Sequence, residues 1–84
     1  MEPYRIFLHI DLLDYVPARG KQRQRIMEFI RSLSEQPHLP GDFTDQDDSL
    51  RPRHIKIIGN YAITYWADDP VRAVMVVDIR LADR

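Results

Sequence analysis

An amphipathic segment at residues 21–36 most restricts how this chain can fold. Four apolar residues recur there at i, i+3, i+4 and i+7, the spacing of a single apolar stripe on an α-helix: Ile26, Phe29, Ile30 and Leu33. Gly20 is placed to cap the start of this helix, and Pro37 marks its end. A helix with one apolar stripe needs a second layer to cover that stripe, so the remaining segments must supply one.

Three segments after residue 53 have the composition and alternation of β-strands, at 54–58, 61–66 and 71–79. Gly59-Asn60 and Asp68-Asp69-Pro70 supply the turns between them. Residues 4–9 are predicted to form an opening strand. Asp11 is predicted to cap a brief helix that Pro17 ends. The prediction is an α+β fold of order β-α-α-β-β-β, with a helical hairpin on one face of an antiparallel sheet and a single domain over residues 1–84.

Two registers are open for the first hairpin, and each buries a different face. A two-residue turn pairs Ile58 with Tyr61 and places Lys56 on the same face as Ile63. A three-residue turn pairs Ile57 with Tyr61 and separates polar from apolar side chains, so we predict the longer turn, with Gly59 or Asn60 at positive φ. Its buried face carries Ile55, Ile57, Tyr61, Ile63 and Tyr65.

Strict alternation along 71–79 points one set of residues to the helices, namely Val71, Ala73, Met75, Val77 and Ile79. The other set points away from them, namely Arg72, Val74, Val76, Asp78 and Arg80. With the longer turn, the predicted outer face gathers His54, Lys56 and Arg80, with Trp66 as an aromatic neighbour.

Composition excludes several classes of function. The 84 residues contain no cysteine, so neither a disulfide framework nor a thiolate metal site is available. A net charge of −1 argues against generic nucleic-acid binding, and no apolar run is long enough for a membrane span, so a cytoplasmic protein is expected. The polar connection at 37–53 is predicted to be a solvated loop. Its aspartates lack the glycine and final glutamate of a calcium loop, and we expect no metal or other cofactor.

The segments FLHIDLL, KQRQRIMEFIRSLSEQP, GDFTDQDDSLRPRHIKIIGNYAITYWADDP and VRAVMVVDIRLAD together resemble the RelE/ParE superfamily of toxins from bacterial type II toxin–antitoxin systems. The resemblance covers nearly the whole chain and lies in the order and spacing of the segments. It implies a compact toxin neutralised by a cognate antitoxin. RelE-like members cleave mRNA in the ribosome without a metal, whereas ParE-like members inhibit DNA gyrase.

The resemblance also implies a catalytic set. The basic residues of the first meander strand correspond to His54 and Lys56, and the arginine near the last strand corresponds to Arg80 if the alignment shifts by one residue; without that shift it meets Leu81. Two family features are missing, because Ala62 occupies the position of a further arginine and the C-terminal aromatic acid/base is absent.

Six further residues are candidate RNA or partner contacts: Arg19, Lys21, Arg23, Arg51, Arg53 and Trp66. Basic side chains suit phosphate or an acidic antitoxin, and Trp66 suits base stacking or a partner anchor. An ordinary solvated surface is the alternative for each. The sequence therefore favours a RelE-type mRNA endoribonuclease that acts on the ribosome and is inhibited by an antitoxin. A gyrase inhibitor and a non-catalytic binding module of the same fold remain as alternatives.

Overall fold

The computed structural model describes residues 2–82, which form a five-stranded sheet with one α-helix and two short 3-10 helices. The spatial order of the strands is β1-β5-β4-β3-β2. Their bounds are β1 Arg5–Leu8, β2 Phe43–Gln46, β3 Pro52–Ile58, β4 Tyr61–Asp68 and β5 Ala73–Leu81. The α-helix, α1, spans Lys21–Ser32, and the 3-10 helices span Ile10–Tyr15 and Asp69–Val71.

The α-helix lies where its apolar stripe predicts it. Ile26, Ile30 and Leu33 are buried against the sheet, and Gly20 is the N-cap residue. The helix ends at Ser32, four residues before the predicted end. The next residues form turns, and the Ser34 hydroxyl donates to the backbone oxygen of Tyr4 (2.7 Å). The end of the helical segment is thereby fixed to the start of β1.

The predicted first helix is a 3-10 helix. The predicted hairpin of two helices is therefore one 3-10 helix followed by α1. The N-cap residue of the 3-10 helix is His9 and not Asp11, because the backbone N–H of Asp11 donates to His9 Nδ1 (3.1 Å). Six residues allow fewer than two α-helical turns, and such short segments commonly adopt the tighter 3-10 form. This helix lies beside the second half of β5, beyond the point where β1 ends.

The sheet is mixed, not antiparallel as predicted. β1 runs parallel to β5 along one edge, whereas β2 and β3, β3 and β4, and β4 and β5 pair antiparallel. β2 lies inside the segment that was predicted to be a loop. Its residues Phe43–Gln46 pair with β3, so the connection between α1 and the meander adds a fifth strand.

The predicted register of the first hairpin is wrong. Ile58 pairs with Tyr61, Lys56 with Ile63 and His54 with Tyr65, which is the two-residue turn. Gly59 has φ +60°, as the turn requires. Because facing partners share a side of the sheet, His54 and Lys56 lie on the face that α1 covers. Ile55 and Ile57 lie on the opposite face.

The predicted alternation in β5 fails at a bulge. Thr64 pairs with Asp78 and Tyr65 pairs with Val76, so Val77 is an extra residue in its strand. Val74, Val76 and Ile79 are all buried in the core. The bulge shifts the alternation by one residue, so Val74 and Val76 before it and Ile79 after it lie on the same face of the sheet. Met75 and Val77 face the other way, contrary to the prediction.

The sheet consequently has two unlike faces. The covered face packs against α1 around Tyr65 and Ile63, both fully buried. α1 does not cover the opposite face, which we call the open face, although the 3-10 helix Ile10–Tyr15 borders it at β5, where Leu12 lies near Val77 and Tyr15 lies near Arg80. None of the helices in this range has the length and apolar character needed to cross a membrane.

Candidate functional site on the open sheet face

A depression of about 450 Å³ lies on the open face where β2, β3, β4 and β5 run side by side. The neighbouring strands place short and charged side chains around it. Its lining consists of Asp45, Arg53, Ile55, Ala62, Thr64, Val77, Asp78 and Arg80. We call it the arginine depression, because its two cations are arginines.

Arg53 forms one side of the arginine depression and is bound to Asp45 in a two-pronged ion pair. Arg53 Nε donates to Asp45 Oδ1 (2.9 Å) and a terminal nitrogen donates to Oδ2 (2.8 Å). The two residues face each other across β2 and β3. The hydrogen bond to Asp45 raises the pKa of Arg53 above its ordinary value, so this guanidinium is always charged.

Arg80 forms the other side and pairs with Asp78, two residues earlier on the same face of β5. The hydrogen bond to Asp78 and the charge of that carboxylate raise the pKa of Arg80. Arg80 on β5 faces Ala62 on β4. Because the Ala62 side chain is small, the space between the Arg53 and Arg80 cations is open. The Arg80 side chain is 71% exposed and therefore free to meet a ligand.

This arrangement suits an anion that is able to replace a carboxylate. Each guanidinium offers several N–H donors in a plane, which matches the oxygens of a phosphate. Asp45 and Asp78 neutralise both cations locally, so a phosphate must compete with them. The same carboxylates are the proton acceptors of the depression.

The predicted catalytic set does not assemble, because Arg80 lies on the open face whereas His54 and Lys56 lie on the covered face. Lys56 Nζ is 3.8 Å from Asp42 Oδ1, and Asp42 also accepts a hydrogen bond from the backbone N–H of Ile57 (2.8 Å). The two-residue turn is the physical reason for the separation.

The predicted cluster at the start of α1 is outside the arginine depression. Arg19 and Lys21 are exposed, and Arg23 donates to the backbone oxygen of Pro17 (3.1 Å), which gives it a structural role. None of the three lines the depression.

Arg51 and Trp66 meet at the end of the sheet. The Arg51 guanidinium lies 4.1 Å from the centre of the Trp66 ring and also pairs with Asp47 (2.8 Å). Both residues line a separate cleft of about 270 Å³ with His38 and His54. We call this the end cleft.

Sequence reasoning did not identify Asp45 of the arginine depression or His38 of the end cleft as site residues. Asp45 was considered only as part of a calcium loop, and its pairing with Arg53 depends on the unpredicted strand β2. No pattern in the sequence pointed to a contact of His38. In the structure its Nε2 lies 2.7 Å from Asp69 Oδ1, a carboxylate oxygen that also accepts from the Tyr4 hydroxyl (2.8 Å). These bonds lower the pKa of Asp69. Within residues 2–82 no three His, Asp or Glu side chains are arranged to hold a metal ion.

Comparison with known proteins identifies the fold. No protein-family model matches the chain, and no curated protein matches it. Among solved structures, a chain in the crystal structure of the archaeal RelE–RelB complex from Pyrococcus horikoshii OT3 superposes with a TM-score of 0.76 at 16% identity. The match covers 98% of this chain and 98% of that chain. The protein therefore has a RelE-like α+β fold.

Proposed function

We propose that this protein is the toxin of a toxin–antitoxin pair, and that it acts through its open sheet face. The observation that carries the proposal is the full-length match to a chain of a RelE–RelB complex, combined with an uncovered face that holds two arginines. The proposed partner is a cognate antitoxin protein, and the proposed site of action is the cytoplasm.

The finer proposal is metal-independent cleavage of mRNA on the ribosome. Cleavage by the neighbouring 2′-hydroxyl requires a proton acceptor for that hydroxyl, cations around the phosphate and a proton for the leaving 5′-oxygen. Arg53 and Arg80 are proposed to bind the phosphate, which displaces Asp78 or Asp45 from its arginine. The freed carboxylate is proposed to take the 2′-hydroxyl proton as the 2′-oxygen bonds to phosphorus, and to return that proton to the 5′-oxygen as the bond between phosphorus and the 5′-oxygen breaks. His54 and Lys56 are not proposed as catalytic residues, because the sheet separates them from Arg80.

A non-catalytic binding module of the same fold is the second candidate, and one observation favours it. Both cations of the arginine depression are already paired with carboxylates, so the local charge is balanced. A surface of that kind suits specific protein contact at least as well as binding to a polyanion.

Ribosome-dependent cleavage in a translation extract tests the proposal. Addition of the purified protein is expected to cut mRNA only when ribosomes are translating it, and the Arg53→Ala/Arg80→Ala double variant is expected to leave the mRNA intact. Lys56→Ala is the matched control, because it removes one cation from the opposite face, and it is expected to cleave normally. Intact mRNA in the presence of the wild-type protein would contradict the proposed ribonuclease activity. If the protein instead inhibits DNA supercoiling by gyrase in a parallel assay, it belongs to the gyrase-directed class.

A further inference from the structure

A cavity of about 500 Å³ lies at the edge of β5, beyond the point where β1 ends. The 3-10 helix Ile10–Tyr15 forms one wall, and the second half of β5 forms the other. Its lining includes Asp11, Leu12, Tyr15, Asp78 and Arg80, and we call it the tyrosine cavity. We propose that the tyrosine cavity binds a nucleobase of the RNA strand whose phosphate lies in the arginine depression. This inference rests on the proposed function, because it takes RNA as the ligand of the open face.

The tyrosine cavity adjoins the arginine depression at β5. Asp78 and Arg80 line both, and both side chains belong to the open face of the sheet. A ligand therefore reaches from the depression into the cavity without crossing the sheet. The volume of the cavity falls within the roughly 300–1,000 Å³ of small-molecule pockets. A phosphate bound to Arg80 leaves a group attached to it room to enter the tyrosine cavity.

Tyr15 supplies an exposed aromatic ring beside Arg80. Its side chain is directed outwards, with 60% of the residue exposed, whereas the next residue, Val16, is buried in the core. The hydrogen bond to Asp78 and the charge of that carboxylate raise the pKa of Arg80, and the nearby Tyr15 phenol adds to the effect in its ionised form. Bases of single-stranded RNA stack on tyrosine rings and on arginine planes. Tyr15 and Arg80 are thus able to hold the base and the phosphate of one nucleotide side by side.

Charge determines which part of a nucleotide the tyrosine cavity accepts. Within residues 2–82 its lining contains two carboxylates, Asp11 and Asp78, and one cation, Arg80. His9 lies beside Asp11 but accepts a hydrogen bond through Nδ1, as a neutral imidazole does, and so adds no charge. The negative balance repels a phosphate, which remains in the arginine depression, where two cations offset two carboxylates. An uncharged base is not repelled, and Leu12 and the tyrosine ring offer it apolar contact.

Titration of the full-length protein with three small ligands tests the site without ribosomes. They are adenosine 5′-monophosphate (AMP), ribose 5-phosphate and the dinucleotide adenylyl-(3′→5′)-adenosine. The chain contains four tyrosines, and in ring-labelled protein the NMR signal missing from Tyr15→Ala belongs to Tyr15. AMP is expected to move this signal saturably. Ribose 5-phosphate is expected to bind about tenfold more weakly, because it lacks the stacking base. The dinucleotide, whose phosphate is internal as in RNA, is expected to bind at least as tightly as AMP.

Three variants separate the ring of Tyr15 from its hydroxyl and from the helix that carries it, with the Arg80 Nε–H resonance as the common measure of affinity. Tyr15→Ala is expected to weaken AMP about tenfold, whereas Tyr15→Phe keeps the ring and is expected to weaken it less than about threefold. Ile10→Ala is the matched control, because it truncates a second exposed side chain of the same 3-10 helix outside both cavities, and it is expected to bind like the wild type.

Three results would overturn the base site. They are a Tyr15 signal that does not move, equal binding of ribose 5-phosphate and AMP, and equal weakening by Tyr15→Phe and Tyr15→Ala. AMP bound much more tightly than the dinucleotide would overturn RNA as the ligand in favour of a free nucleotide. Binding of a glutamate-rich peptide without any nucleotide would overturn it in favour of a protein partner.

The base site and the proposed ribonuclease fail in distinguishable ways, because AMP binding needs no ribosome. If AMP moves the Tyr15 signal but mRNA stays intact in the translation extract, the proposed cleavage is wrong and the base site stands. If mRNA is cut equally by the wild type and by folded Tyr15→Ala at limiting protein concentration, the base site is wrong and the proposed cleavage stands. The expected result is cleavage by the wild type that falls about tenfold in Tyr15→Ala and is unchanged in Ile10→Ala.

Discussion

Replacement of Tyr65 by Phe should change stability in opposite directions at neutral and at high pH. Tyr65 is fully buried, packs against Phe29 (ring centroids 5.6 Å apart) and donates its hydroxyl to the backbone oxygen of Leu39 (2.9 Å). A hydrogen bond of this kind contributes about 1 kcal/mol to the free energy of unfolding. At neutral pH, where the phenol is protonated in both states, Tyr65→Phe should therefore be less stable by about that amount.

Burial raises the pKa of Tyr65 from 10.0 to about 12. Because the folded state disfavours the phenolate, this group's contribution is complete below the unfolded pKa and falls as the pH rises from roughly 10 towards 12. The loss is about 1.4 kcal/mol at about pH 11 and about 2.3 kcal/mol at about pH 12, from the linkage of proton binding to folding. The Phe variant has no such loss. Its unfolding free energy should equal that of the wild type near pH 11 and exceed it above.

Urea unfolding of both proteins, followed by circular dichroism across this pH range, gives the difference in free energy directly, and other titrating groups cancel in that difference. A difference that stays constant from about pH 8 to about pH 12 would refute the burial of Tyr65 beneath the segment that carries Leu39. That segment also covers the face of β3 to which His54 belongs, so the same result would undermine the assignment of faces.

Three other substitutions test separate parts of the structure. Ile26→Ala removes a fully buried side chain of α1 and should lower the free energy of unfolding by about 2–5 kcal/mol in a urea titration. Gly41→Ala would place a Cβ atom 2.5 Å from the backbone oxygen of Ile55, so β2 should detach from β3 and its amide hydrogens should exchange faster. Asp45→Asn removes the charge that pairs with Arg53 and should strengthen binding to RNA, with a salt dependence steeper by about one phosphate contact.

Matched controls make these results specific. Val77→Ala truncates an aliphatic side chain on the open face and should change stability by less than about 1 kcal/mol. Asp48→Asn makes the same charge change as Asp45→Asn at an exposed loop position and should leave RNA affinity nearly unchanged. Equal effects of variant and control in either pair would contradict the placement of Ile26 or Asp45.

The sequence predicted the elements whose patterns are long or clearly bounded. The apolar stripe of α1 and the turns at Gly59-Asn60 and Asp68-Asp69-Pro70 locate the helix and the three strands of the meander within a few residues. β2 was missed because its sequence, FTDQ, is short and mostly polar. An edge strand needs only one neighbour, and its pattern need not reflect a buried face.

Register was the feature that sequence reasoning could not supply. Separation of polar from apolar side chains assumes that the helix layer covers a whole face. Here α1 reaches β3 near Ile58, where Gln22 donates to the Ile58 backbone oxygen (2.9 Å). Further along β3, Asp42 lies beside Lys56 and gives a polar partner to a side chain on the covered face. The polar residues of β3 are therefore tolerated on the face predicted to be apolar.

The wrong register also explains why His54 and Lys56 do not lie beside Arg80. Arg80 and Arg53 were both identified from the sequence, but in different roles, and only the strand order brings them to one depression. Arg51 and Trp66 were identified individually. His38, which lines the same cleft, is held by Asp69, which lies 31 residues away in the sequence, and no local pattern reveals that contact.

Induced expression of the gene alone, with growth as the readout, is the most direct test that this is a toxin acting through its open face. The wild-type protein should arrest growth, and the Arg53→Ala/Arg80→Ala double variant, expressed at the same level and folded, should not. Lys56→Ala should still arrest growth because its side chain lies on the covered face. Normal growth with the folded wild-type protein, or arrest that persists in the double variant, would contradict this account.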